Sequence, residues 1–143
     1  MLELQLPYPP SVNHYWRMWR GRMVISEEGR RYRESVCHRL APALAPALGM
    51  SGNGPRKPPS GGRIALCMDA FPPDRRRRDL DNIQKALLDA MEHAGVYADD
   101  SQIDLLVARR QGLRDGGLMV VRVSEMPLSR CPVCGSRLMT NLN

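Results

Sequence analysis

Leu2, Leu4 and Leu6 alternate with Glu3 and Gln5, a period of two that predicts a half-buried strand over 2–6, closed by Pro7. The same alternation returns at Ile64, Leu66, Met68 and Ala70 ahead of Pro72-Pro73, and again at Ile103, Leu105 and Val107. Gly112 to Gly117 reads as a turn and 118–123 as a fourth strand. Elsewhere the period lengthens. Ser26 can cap a helix whose first turn holds Glu27 and Glu28, with Tyr32, Val36, Cys37 and Leu40 following at helical spacing. The clearest segment is Ile83, Ala86, Leu87, Ala90, Met91 and Ala94, spaced i, i+3, i+4, i+7, i+8, i+11, which predicts a helix over about 81–94 with one buried face, stopped by Gly95. The order β-loop-α-β-α-β-β predicts one α/β (α+β) domain with a mixed sheet and two main helices.

Three stretches have no period. Residues 7–24 hold Tyr8-Pro9-Pro10, Tyr15, Trp16, Trp19 and several arginines, and read as a basic, aromatic loop. From Ala41 to Arg63 the chain turns Ala/Pro-rich, then Gly/Ser/Pro-rich. A helix is not expected to hold past Pro42 and Pro46, and about 47–62 reads as a mobile loop within the wider 41–62 connection. Residues 127–143 form a tail after a domain of 1–126.

Composition narrows the class. The 143 residues, 16.1 kDa and 43% hydrophobic, suffice for one core. No apolar run approaches the roughly eighteen residues of a membrane span, and the N-terminus lacks a basic start followed by an apolar stretch. A cytoplasmic protein with no membrane partner is expected. Cys37, Cys67, Cys131 and Cys134 do not space like a secreted disulfide framework, and Cys37 and Cys67 read as small core residues. The net charge of +6 and pI near 9.6 favour a polyanion such as nucleic acid. Nineteen of the 21 cations are Arg, so the two lysines, Lys57 and Lys85, stand out.

The chemistry concentrates at Asp74-Arg75-Arg76-Arg77-Arg78-Asp79-Leu80-Asp81, directly before the strongest helix. Asp79 and Asp81 flank the exposed N–H groups of a helix start, and a capping role explains one of them. Two carboxylates beside four arginines also suit a hard divalent cation, Mg²⁺ or Mn²⁺, at a phosphodiester, with Asp99-Asp100 offering a third ligand. The arginines would hold neighbouring phosphates. Lys85, one turn after Asp81, is either its i,i+4 ion-pair partner or a point cation for the phosphate. In the tail, Cys131 and Cys134 form half of a zinc site, with a second pair missing unless two copies contribute one each.

DRRRRDLDNIQKALLDAM, then AGVYADDSQI, with PYPPSVNHYWR near the start, resembles the RusA family of Holliday junction resolvases, often carried by prophages, over most of 1–126. The resemblance implies a homodimeric endodeoxyribonuclease that binds branched, four-way DNA junctions and makes paired symmetric incisions with Mg²⁺ or Mn²⁺, serving recombination and repair. It places the catalytic acids on Asp79, Asp81 and Asp100, which also hold the metal, and the essential lysine on Lys85. Arg75, Arg76, Arg77 and Arg78, together with Asn13, Tyr15 and Arg17 of the aromatic loop, are then the expected DNA contacts. The long 41–62 stretch and the 127–143 tail depart from the family pattern. The rival reading is a non-catalytic basic module that binds nucleic acid, its aspartates serving as caps and ion-pair partners.

Overall fold

Each stretch of period two becomes a strand, in a computed structural model that describes residues 1–44, 62–126, 130–131 and 133–137. The elements are β1 (Leu2–Leu6), α1 (Val12–Tyr15), β2 (Trp16–Trp19), β3 (Arg22–Ile25), α2 (Glu27–Leu44), β4 (Ile64–Phe71), α3 (Leu80–His93), β5 (Ile103–Arg110) and β6 (Leu118–Glu125), with a 3-10 turn, Asp100–Gln102, leading into β5. Four strands form a mixed sheet in the order β1-β6-β4-β5. β6 runs antiparallel to β1 and β4, whereas β4 and β5 are parallel. A parallel pair needs a crossover, and α3 supplies it.

The α/β reading with a mixed sheet therefore holds. Ile64, Leu66, Met68 and Ala70 of β4 point to one face, where Tyr32, Val36 and Leu40 of α2 and the apolar stripe of α3 cover them. Ile83, Leu87 and Met91 are at most 1% exposed, each contributing about 1.5–3 kcal/mol by burial. The other face carries an ionic ladder across all four strands. Arg122 joins Glu3 (2.8 Å) to Asp69 (2.7 Å), and Arg109 clasps Asp69 through two bonds of 2.7 and 2.9 Å.

Helix ends follow the expected chemistry. Ser26 Oγ accepts the Gly29 N–H at 2.9 Å, capping α2. Gly95, at φ +82, ends α3 in a Schellman turn, with the Val96 N–H on Met91 O and the Gly95 N–H on Glu92 O. Cys67 is buried and Cys37 half-buried. Among the described residues no helix is long and apolar enough to cross a membrane.

Two expectations need correction. Residues 7–24 are not a plain loop: they hold the single turn α1 and a hairpin, β2 paired with β3, closed by Arg20 (φ 48) and Gly21 (φ 75). Paired positive φ values are the primed-turn geometry that matches strand twist. Among the described residues the hairpin pairs only with itself, so most of its side chains stay in solvent and no burial alternation marks it. α2 also continues past Pro42 to Leu44. The proline forfeits one hydrogen bond to the carbonyl of His38, an exposed residue where solvent can take its place, while buried Leu40 anchors that turn. Apart from Gly62, the expected mobile loop at about 47–62 lies outside the described residues, as do 127–129, 132 and 138–143 of the tail.

Candidate active site at the start of α3

β4 ends at Phe71, and the cation run crosses from there to α3. Asp74 organises this crossing: its carboxylate accepts the Arg76 N–H at 2.8 Å and both Arg78 Nη groups, at 2.5 and 2.9 Å. The Arg78 guanidinium, followed by the Arg76 backbone N–H, holds the Asp74 carboxyl well below the usual carboxylate range. Arg78 also lies 5.8 Å from the Tyr8 ring centroid, and its carbonyl accepts from the Arg110 guanidinium. Arg78 is thus largely committed to the loop. Arg75, Arg76 and Arg77 project into solvent.

Asp79 occupies the N-cap position of α3, with φ −91 and ψ 139, yet makes no side-chain cap bond. Asp81 sits in the first turn, and neither carboxylate has a partner among the described residues. Asp79 thus holds the N-cap position by its backbone alone, and the alternative reading of one aspartate as a side-chain cap is not met. That leaves two free hard-oxygen donors beside the positive end of a helix.

Of the two readings of Lys85, the ion pair with Asp81 does not form. Lys85 Nζ lies 2.9 Å from Asp89 Oδ1, one turn onward, and 3.9 Å from Asp100 Oδ2. The hydrogen bond to Asp89 raises the Lys85 pKa, with Asp100 adding to it. Sequence reasoning passed over Asp89, although its i,i+4 spacing from Lys85 equals that of Asp81.

Asp100 reaches Lys85 because the Schellman turn at Gly95 reverses the chain within six residues. Its neighbour is spent on structure: Asp99 Oδ1 accepts the Ser101 N–H at 2.8 Å while Gln102 Oε1 accepts the Ala98 N–H at 2.8 Å and the Asp99 N–H at 3.3 Å, completing a capping box. Asp99 is the cap, and Asp100 is left for the site. Nearby Glu92 is pushed up, first by burial and then by Asp100, Asp99 and Asp89. The result is a group of acids, Asp89, Asp100 and Glu92, around the Lys85 ammonium.

A cleft of about 720 Å³ opens at the start of α3, walled by Tyr8, Pro9, Pro10, Arg76 and Arg77, with Asp79 and Asn82 on its α3 side; Lys85 and Asp100 do not line it. Asn13 and Arg17 are exposed. Tyr15 is not: it is fully buried, edge-on to Trp16, and its hydroxyl accepts from Arg33 Nε at 2.6 Å. The DNA contact expected of Tyr15 is corrected accordingly, since no ring face is open. Trp19 is 54% exposed at the hairpin end, with Arg17 and Arg20 placed 5.5 and 5.6 Å from its ring.

Carboxylate oxygens are the right donors for Mg²⁺ or Mn²⁺, and those of Asp79 and Asp81 are free to serve. Among the described residues, no three His, Cys, Asp or Glu groups are gathered into a ready metal cage. The structure brings Asp100 to Lys85 but does not gather Asp79, Asp81 and Asp100 into one cage. Cys131 and Cys134 sit in a short turn closed by the Gly135 N–H on Cys131 O and the Cys131 N–H on Ser136 O, both 2.8 Å. Hydrogen bonding to Ser136, then to Cys131, lowers the Cys134 thiol to about 7, but no third ligand stands with the pair among the described residues.

Comparison with known proteins places the chain in a family. The family described as Endodeoxyribonuclease RusA matches residues 7–123. The chain is 36% identical over 124 residues to the Crossover junction endodeoxyribonuclease RusA of Escherichia coli strain K12, covering 87% of this chain and 94% of that protein. The proteins of the same name from Shigella sonnei strain Ss046, at 37%, and Enterobacteria phage HK97, at 36%, share the same coverage.

Proposed function

This chain belongs to the RusA endodeoxyribonuclease family, and on that premise we propose that it is a metal-dependent nuclease that resolves four-way DNA junctions by paired phosphodiester hydrolysis. The observation that carries the reading is the set of charges α3 presents: Asp79 and Asp81 at its start, without partners among the described residues, and Lys85 one turn on, whose ammonium lies 3.9 Å from Asp100. A structural role would have spent these charges on caps and pairs, as Asp99 and Asp74 are spent.

Asp79, Asp81 and Asp100 are the residues that would hold Mg²⁺ or Mn²⁺, which when bound neutralises phosphate charge and acidifies a water. Lys85 offers N–H donors to a phosphate oxygen where negative charge develops. Arg75, Arg76 and Arg77 hold flanking phosphates, and their bidentate geometry fixes the strand across the acids. Asn13 and Arg17 extend that track, and Trp19, bordered by Arg17 and Arg20, offers an exposed ring to an unstacked base. Hydrolysis by this route needs no covalent nucleophile.

The test is incubation with a labelled synthetic four-way junction in Mg²⁺, in Mn²⁺ and in chelator, beside linear duplex of the same sequence. Paired nicks confined to the junction and lost with chelator are expected. Asp81→Asn should abolish cutting while leaving junction binding equal or tighter, because a negative charge near phosphate is removed. Binding without metal-dependent cutting by the wild type would overturn the reading in favour of a basic binding module.

A further inference from the structure

A lysine acts on a phosphate only when its ammonium is held in place, and the Lys85 side chain is long and half exposed. Two carboxylates reach it, and they differ in kind. Asp100 lies 3.9 Å away and its side chain is 52% exposed, whereas Asp89 lies 2.9 Å away and is only 12% exposed. Asp81, Lys85 and Asp89 form an i, i+4, i+8 row on α3, and such a row drifts by about 40° per step around the helix. The drift carries Asp89 from the solvent side towards the buried positions Ala86 and Ala90.

Asp89 Oδ2 is buried there and has no hydrogen-bond partner among the described residues. A buried carboxylate with an orphan oxygen costs stability, so its placement asks for a return. Oδ1 has one partner, Lys85. We propose that Asp89 is a positioning residue: it anchors the Lys85 ammonium beside Asp100 and over the phosphate bound there, without touching substrate itself. The inference rests on the proposed nuclease reading of this site, and adds a fourth acid acting through the lysine.

The test has a readout independent of cutting. The chain has only two lysines, Lys57 and Lys85, so an NMR spectrum of lysine ammonium nitrogens holds at most two signals, and Lys57→Arg assigns them. The Lys85 ammonium protons should exchange slowly in the wild type and fast in Asp89→Asn. In single-turnover junction cleavage, Asp89→Asn should be slower by about tenfold or more, with the junction Kd changed less than about twofold. In a Lys85→Ala background the same substitution should change the residual rate by less than about twofold, because the group it positions is gone. If Asp89→Asn does not fold, wild-type ammonium exchange and the cleavage rate of Asp89→Glu, which keeps the charge but displaces it, decide the matter. Slow exchange that persists in the folded variant, wild-type cleavage by Asp89→Asn, or an equal loss in the Lys85→Ala background would overturn the proposal. A wild type that holds its Lys85 ammonium yet cuts no junction would overturn the nuclease reading and, with it, the catalytic purpose assigned to Asp89.

Discussion

Asp69 shows how much a single side chain can carry in this sheet. Burial alone would raise its pKa, but hydrogen bonds from Arg109, Arg122 and Gln111 outweigh that and bring it down from 3.8 to about 2. A depressed carboxyl contributes stability that is fully present above its unfolded value and is lost as pH falls through the folded one. The window is therefore about pH 4 down to about pH 2, and the amount is about 2 kcal/mol. Urea unfolding of the wild type and Asp69→Asn across this range should show a stability gap that is constant above pH 5 and narrows by about that amount at pH 2. A gap that does not change with pH would mean that the ladder is held by shape rather than by charge. At this scale the sequence was partly legible. Lys85 could be singled out as one of two lysines, and Asp79 and Asp81 as a pair directly before the strongest helix, whereas Asp100 was chosen over Asp99 only through the family resemblance. Asp69 could not, because its partners come from two other strands; Asp89 could have been, from its i,i+4 spacing to Lys85, but its burial could not.

α2 meets α1 and the hairpin at Gly29, and the contact explains a glycine inside a helix. A Cβ there would stand 2.6 Å from the Tyr15 carbonyl oxygen and 2.8 Å from Ile25 Cγ1. That carbonyl already accepts the Ser26 N–H at 2.9 Å, so it is fixed. Gly29→Ala gains about 1 kcal/mol in helix propensity but forces α2 away from α1 and the hairpin, at a cost of about 1–3 kcal/mol. The backbone obstacle cannot rotate aside, so a net loss of stability is expected, read as a lower urea midpoint with an unchanged slope. A higher midpoint would show that α2 can slide. The same junction marks where element reading succeeded and failed. α3 was legible because its apolar face, its glycine stop and its packing repeat one pattern. The β2–β3 hairpin was not, because Met18, Trp19 and Met23 stay exposed and pair only across their own turn. Pro42 misled in the opposite direction, since tertiary burial of Leu40 outweighs one lost hydrogen bond on an exposed turn.

A four-way junction has two strands to cut symmetrically, whereas one chain holds one set of Asp79, Asp81, Lys85 and Asp100. Lys85 and Asp100 meet within a single chain, so each copy brings its own lysine and acid rather than borrowing them. Two complete sites therefore require two copies, and the expected assembly is a dimer with twice the 16.1 kDa mass, measurable by light scattering. With +6 charges on each copy, such a dimer is drawn to a junction whose arms converge their phosphates, and binding should weaken steeply with salt. The decisive sample is a heterodimer purified through two different tags, one wild-type chain joined to one Lys85→Ala chain, acting on a supercoiled plasmid that extrudes a cruciform. Two working sites cut both strands before the junction is released, giving linear DNA. One working site makes a single incision, which relaxes the plasmid and removes the cruciform before a second cut. Nicked circles in place of linear product are therefore expected from the heterodimer. Linear product at the wild-type rate would show that one site serves both strands in turn, and would dissolve the link between the geometry of one chain and the need for two.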